Sequence, residues 1–140
     1  MTIDLEKIRR YFRDDRFAMN IGIGIDAVSE TSVQCSMVLT ENHRNAVGGV
    51  QGGAIFTLAD FTFAVHCNLA MVGGEPLGAT VGQSCAISYL KLTRGAKLLA
   101  ASTCLSRGRA MSVYRIDVTD DLGVPIAQMT GNAFTIHNSQ

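Results

Sequence analysis

The spacing of apolar positions changes along the chain, and each change marks an element. Ile3, Ile8, Tyr11 and Phe12 recur at helical spacing, with Asp4 and Glu6 where the positive end of a first turn favours acids. A helix is expected over residues 3–16, within an N-terminal segment 1–17. Gly22 and Gly24 interrupt the next apolar stretch, which predicts a bent strand at about 21–28. Over 31–40, Val33, Cys35, Met37 and Leu39 alternate with Ser32, Gln34 and Ser36, the pattern of a half-buried strand. The loop ENHRNAVGGVQGG follows and opens into AIFTLADFTFAVHCNLAMV. That segment is apolar on nearly every side and predicts a buried helix over 53–71, stopped by Gly73-Gly74. Breakers at Gly95, Gly108 and Gly123-Val124-Pro125 divide the remainder into strands at about 80–92, 96–106, 110–120 and 124–136. Their even spacing suits an antiparallel meander. The expected class is α+β, an antiparallel sheet curled around a central apolar helix.

A chain of 140 residues with 47% hydrophobic and 17% charged residues builds one core, so residues 1–140 are expected to form a single domain. Twelve Lys and Arg balance twelve Asp and Glu. That balance argues against a nucleic-acid partner and offers little charge repulsion against self-association. No apolar run approaches the ~20 residues of a membrane span. The opening MTIDLEKIRRYFRDDRF lacks the apolar core of a secretory signal, so a cytoplasmic protein without a membrane partner is expected. Cys35, Cys67, Cys85 and Cys104 form no CxxC pair and sit in apolar stretches. Buried reduced thiols are expected, and no metal site.

Between Asn45 and Gly74 the chain carries one carboxylate, Asp60, in the middle of its most apolar segment. An apolar setting raises a carboxyl pKa and strips solvent from the anion, which suits a general base or a nucleophile. The alternative is a structural Asp60 bonded to Thr57 or capping a neighbouring strand. Gly52 and Gly53 fall in the first turn of the same helix, where unpaired N–H groups and a positive dipole suit a developing oxyanion. Gly52 and Asp60 are then ~12 Å apart along the axis, too far to share one small reacting group. Two antiparallel copies of the helix across a twofold axis would bring Gly52 of one beside Asp60 of the other.

The run Asn45-Ala46-Val47-Gly48-Gly49-Val50-Gln51-Gly52-Gly53-Ala54-Ile55-Phe56-Thr57-Leu58-Ala59-Asp60 resembles the N-x-x-G-x-x-H-G-G-x-x-x-x-L-A-D signature of hotdog-fold acyl-CoA thioesterases. Within the 4-hydroxybenzoyl-CoA thioesterase superfamily it is most similar to the phenylacetate-degradation branch. Asp15-Arg16-Phe17-Ala18, Ile87-Ser88-Tyr89-Leu90, Ser106-Arg107-Gly108-Arg109 and Asp120-Asp121-Leu122-Gly123 extend the likeness over about residues 10–136. The resemblance implies a hotdog fold, a homodimer or a dimer of dimers, and an acyl-CoA thioester bound between subunits. It places Asp60 as general base or nucleophile and the Gly52 amide, from the opposite subunit, in the oxyanion hole. Asn45 would position the thioester or water. No separate cofactor is implied, since coenzyme A arrives as part of the substrate.

Gln51 departs from the family histidine: it keeps an N–H donor but carries neither a positive charge nor a shuttled proton. Ala64 stands where some superfamily members carry a hydroxyl, and Thr80, Gln83 and Ser84 are the polar residues downstream. Residues 76–116 hold Lys91, Arg94, Lys97, Arg107, Arg109 and Arg115 without an acid. Arg107 and Arg109, on either side of a turn at Gly108, are the preferred phosphate contacts. Ser84, Gly53, Arg107, Gly108 and Arg109 thus complete the substrate-binding set beside Asp60, Gly52, Asn45 and Gln51. His43, near the site mouth, and His66, on another helix face from Asp60, are expected to be structural, and Cys67 an inert packed thiol. The expected function is acyl-CoA thioester hydrolysis. A non-catalytic acyl-CoA binder is the alternative that Gln51 motivates, and a hotdog dehydratase would want a histidine beside its acid.

Overall fold

The computed structural model describes residues 3–69 and 80–136. Asp4 accepts the N–H groups of Glu6 at 3.0 Å and Lys7 at 3.4 Å and so starts helix α1, Leu5–Phe12. Asp15 then accepts the Ala18 N–H at 3.1 Å and starts a separate short helix α2, Arg16–Asn20. The single helix expected over 3–16 is therefore two. Aspartate is a strong cap and a weak helix interior residue, and Asp15 is used as the cap. Ile8 and Phe12 bury the inner face of α1, and Arg9 Nε donates to the Ile25 carbonyl at 2.9 Å.

Six strands form one antiparallel sheet: β1 Ile23–Val28, β2 Ser32–Val38, β3 Thr80–Tyr89, β4 Lys97–Arg107, β5 Met111–Asp120 and β6 Pro125–Thr135. Their spatial order is β1-β2-β4-β5-β6-β3. The expected four-strand meander is real for β4-β5-β6 only. β3 lies at the far edge on β6, in a register running from Thr80 opposite Thr135 to Tyr89 opposite Ala127. The connection over residues 90–96 is too long for a tight hairpin and carries the chain across instead.

The central helix α3, Gly52–Cys67, packs against the inner sheet face. Leu58, Phe63 and Val65 meet a core that includes Val33, Met37, Leu98 and Ile116, all essentially without solvent contact. A Cβ at Gly131 would stand 3.0 Å from the Phe63 ring, so glycine there lets helix and sheet close together. α3 ends at Cys67, short of the expected residue 71, where the Asn68 side chain donates to the Ala64 carbonyl at 2.9 Å. Gly73-Gly74 lies outside the described residues. The helix is not buried all round. Gly53 and Asp60 are exposed and Thr57 and Ala64 half-buried, one stripe at helical spacing. No helix among the described residues is long and apolar enough to cross a membrane. This α+β arrangement, one long helix wrapped by an antiparallel sheet, is the hotdog fold.

Candidate active site

The loop that leads into α3 is held by its own polar groups. Asn45 Oδ1 accepts the N–H groups of Val47 at 3.1 Å and Gly49 at 3.0 Å, and the Asn45 N–H donates to the Gly49 carbonyl at 2.7 Å. Gly48 takes φ +83°, a conformation that favours glycine. Asn45 is thus the staple of the glycine loop. His43 anchors the loop from below and is buried, not at a site mouth. The Thr40 N–H donates to its Nδ1 at 2.9 Å, so Nε2 carries the proton and donates to the Ile21 carbonyl at 2.7 Å. The His43 carbonyl in turn accepts the Gln51 N–H at 2.8 Å.

Gln51 occupies the N-cap of α3 with extended backbone, and its exposed side chain makes no capping bond. Its carbonyl accepts the N–H groups of Ala54 at 3.0 Å and Ile55 at 3.3 Å. The N–H groups of Gly52 and Gly53 find no acceptor among the described residues. Two adjacent free donors at the positive end of a helix are an anion cradle. Tyr89, from β3, donates its hydroxyl to the Gly52 carbonyl at 3.0 Å, and its ring would stand 3.3 Å from a Cβ at residue 52.

Asp60 lies two turns along the exposed stripe of α3. Its flanks still remove water from the carboxyl, and this partial burial, then the negative charge of Asp15, push its pKa above the ordinary 3.8. Asp15 came to notice only through the resemblance; its use as the α2 cap is what brings it within electrostatic range of Asp60. Cys85 Sγ approaches Asp60 Oδ1 at 4.0 Å. A bulge between Gly82 and Ser84 accounts for that neighbour. Before it Gly82 faces Phe63; after it the alternation is shifted by one, so Cys85, Ile87 and Tyr89 point to the helix side. Ser84 consequently points to the opposite face, where its Oγ accepts from Asn132 Nδ2 at 2.9 Å, and does not join Asp60 within one chain. Thr80 bonds Thr135 at 2.9 Å.

The remaining candidates gather at the other end of α3. Arg107 donates to the Tyr114 hydroxyl at 3.0 Å, and the Gly108 N–H donates to the Met111 carbonyl at 2.7 Å to close the turn before β5. Arg109 follows on that exposed turn. His66 is fully buried, with Nδ1 at 2.9 Å from Ser102 Oγ and its ring 4.9 Å from that of Tyr114. Burial first, then the nearby Arg107 charge, hold its pKa below the ordinary histidine value. Burial pushes the Cys67 thiol up to about 12, which keeps it protonated and inert. Within one chain, then, Gly52, Gly53, Gln51 and Tyr89 meet at one end of α3, Asp60 and Cys85 at its middle, and Arg107 at its far end. The Tyr89 and Cys85 contacts escape sequence reasoning, because strand order and bulge set them.

A loop of this shape feeding a glycine-started helix inside a hotdog sheet defines a family. The chain belongs to the Thioesterase superfamily, whose sequence model matches residues 48–127. It is 27% identical over 126 residues to the acyl-coenzyme A thioesterase PaaI of Escherichia coli K12, covering 89% of this chain and 86% of that protein. It is 27% identical over 135 residues to a putative esterase of Archaeoglobus fulgidus, covering 95% of this chain and 84% of the other. Among solved structures, that of the E. coli PaaI protein of the phenylacetic acid degradation operon superposes with a TM-score of 0.84 at 25% identity, covering 98% of both chains. A thioesterase structure from Haemophilus influenzae gives the same TM-score of 0.84 at 20% identity, over 100% of this chain and 95% of that one, a likeness of fold.

Proposed function

We propose that the protein hydrolyses an acyl-CoA thioester to a free acid and coenzyme A at a site shared by two copies of the chain. The observation that carries this is the pair of unpartnered amides at Gly52 and Gly53 on the same exposed helix stripe as Asp60. The thioester carbonyl oxygen accepts from the Gly52 amide, with Gly53 and the Gln51 side-chain N–H as neighbouring donors. Asp60 of the second copy acts on the carbonyl carbon, either by taking a proton from water or by adding its own oxygen. The negative charge gathers on the carbonyl oxygen at the helix N-terminus, where preorganised donors stabilise it. Collapse breaks the carbon–sulfur bond, the thiolate of coenzyme A takes a proton, and water supplies the oxygen of the acid. Asn45 serves by fixing the loop.

The shared site rests on helix geometry and on a free sheet edge. Gly52 and Asp60 on one helix are ~12 Å apart. Among the described residues β3 pairs only with β6, and its ten residues TVGQSCAISY include no charge and no proline. An edge so plainly unprotected is suited to pairing with a second copy, as a dimer or dimer of dimers. A cytoplasmic location fits this reading, since no helix among the described residues is long and apolar enough to cross a membrane. A second reading, an acyl-CoA binder without turnover, is favoured by Gln51, which supplies a donor but no proton relay. A free-thiol release assay over aliphatic and aryl acyl-CoAs decides: turnover supports the hydrolase, and micromolar binding by calorimetry without turnover supports the binder.

A further inference from the structure

We propose that the Cys85 thiol is a positioning residue for Asp60, holding Oδ1 so that Oδ2 is the oxygen that acts on the thioester or its water; this rests on the hydrolase reading above. Asp60 finds no such partner on its own helix. Thr57, one turn before it, donates its hydroxyl to the Gly53 carbonyl at 2.7 Å. Ala64, one turn after it, has no polar side-chain group. Cys85 Sγ, from β3, stands 4.0 Å from Oδ1, and among the described residues the carboxyl accepts no other hydrogen bond. That distance is long, and contacts of catalytic groups commonly tighten when substrate binds. A carboxylate with one oxygen held turns less freely, and its second oxygen keeps its lone pairs for the reaction.

The backbone aims the thiol. The bulge between Gly82 and Ser84 turns Cys85 to the helix side. Gly82 is part of that device, since a Cβ there would stand 3.2 Å from the Phe63 ring. Cys67 and Cys104 are used differently: each donates to a backbone carbonyl of its own segment, at 3.6 Å to Ala64 and 3.6 Å to Ser106. Partial burial first, then the Asp60 charge, raise the Cys85 pKa above the ordinary 9.0. The sulfur therefore keeps its proton at neutral pH and is a donor, not a nucleophile. A thiol is also a weak donor. It orients the carboxylate yet draws off little of its basicity, whereas a strong donor would hold the anion firmly and weaken it as a base.

The test compares wild type with Cys85→Val, which keeps apolar bulk and loses the proton, and Cys85→Ser, which restores a donor. Cys85→Ala takes the place of the valine variant if thermal melting shows that the branched side chain does not fit. Among the described residues, the titratable groups within electrostatic range of Asp60 are Asp15 at the start of α2, Cys85 on β3 and Cys67 on its own helix. Only Cys85 changes in these variants. Cys85→Val is expected to lower kcat about 2- to 10-fold, the scale of one hydrogen bond, with KM little changed. Its acid limb of kcat/KM should move to higher pH, because the Asp60 anion loses its donor. Cys85→Ser should recover kcat and bring the limb back to its wild-type place or below. An acid limb that stays put in Cys85→Val, or a Cys85→Ser as slow as Cys85→Val, overturns the assignment. An acyl group found on Cys85 by intact mass after acid quench also overturns it, because the sulfur would then be the nucleophile. In a protein that releases thiol from no acyl-CoA, carbon-13 NMR titration of the Asp60 carboxyl, assigned with Asp60→Asn, reads the same contact. A titration displaced to higher pH in Cys85→Val upholds the positioning and removes the hydrolase; an unmoved one removes both.

Discussion

The Tyr89 hydroxyl donates to the Gly52 carbonyl across 3.0 Å and so fastens the edge strand of the sheet to the first turn of the central helix. The bonded carbonyl belongs to the same peptide unit as the free Gly53 N–H. A carbonyl that accepts a second hydrogen bond polarises its peptide and sharpens the N–H at the other end. In the proposed site Tyr89 would therefore act on the Gly53 N–H from behind, through the shared peptide.

Tyr89→Phe keeps the ring over Gly52 and deletes only the hydroxyl. A single hydrogen bond is worth about 0.5–1.5 kcal/mol, so turnover should fall about 3- to 10-fold. The loss is expected in kcat, with KM for the acyl-CoA little changed. Steady-state kinetics beside a melting curve test this. A drop in melting temperature with intact kcat would make the bond purely structural.

Asp60 and Asp15 predict a pH effect with a definite sign. Partial burial and the Asp15 charge raise the Asp60 pKa above 3.8. The folded state thus favours the protonated acid, so the stability contribution of Asp60 is fully present at low pH and is lost as pH rises through the folded pKa. Asp60→Asn should abolish hydrolysis, by at least ~10²-fold, yet melt no lower than wild type at neutral pH. Asp15→Asn keeps a good helix cap and removes the charge, so the acid limb of kcat/KM should move to lower pH. An acid limb that stays in place would remove Asp15 from the electrostatics of the site.

Gly131 is a stability test independent of catalysis. A Cβ there would meet the Phe63 ring at 3.0 Å, so the ring or the strand must shift to admit it. Gly131→Ala should cost about 1–3 kcal/mol by overpacking, measured by denaturant unfolding. An unchanged midpoint would mean that the ring has room to turn aside.

Local signals carried much of this architecture. Asn45 and the glycine pairs announce a loop and helix start because each residue type answers a backbone need at its own position, and Asp60 stands out as the one carboxylate in an apolar helix. The strand segments over 97–135 follow from breakers that coincide with real turns. Strand order does not follow, because the edge position of β3 is set by which partner covers the core. Likewise Cys85, not Ser84, faces Asp60 because one bulge reverses the alternation of β3, and no composition rule marks Gln83 as the extra residue. The break at Asp15 is in principle legible, since aspartate is a strong N-cap residue and bonds the N–H three residues on, at Ala18, but the apolar spacing of Tyr11 and Phe12 masks it.

The edge of β3 predicts an assembly. A strand of ten uncharged residues paired, among the described residues, on one side only, with Gly52 and Asp60 apart on one helix, leads us to expect a second chain. Light scattering should return about twice or about four times the 15.0 kDa chain mass. A clean single-chain mass at micromolar concentration would remove the shared site.

Gln51 separates hydrolysis from binding. Its side chain is exposed at the N-cap and makes no capping bond, so it stands free beside the Gly52 and Gly53 donors. If it donates one hydrogen bond to the thioester carbonyl, Gln51→Ala should slow hydrolysis about 10- to 10³-fold, the scale of one lost oxyanion-hole donor. An amide does not titrate, so the wild-type rate should show no ionisation near ~6.5 arising at this position. Gln51→His restores a donor of similar size at the same cap and should keep or raise activity, and a new limb near ~6.5 would then appear in its pH profile. Wild-type turnover together with an unaffected Gln51→Ala would leave the two glycine amides as the principal carbonyl contacts. Turnover that appears only in Gln51→His would mean that the glutamine had converted a hydrolase cradle into a binding site.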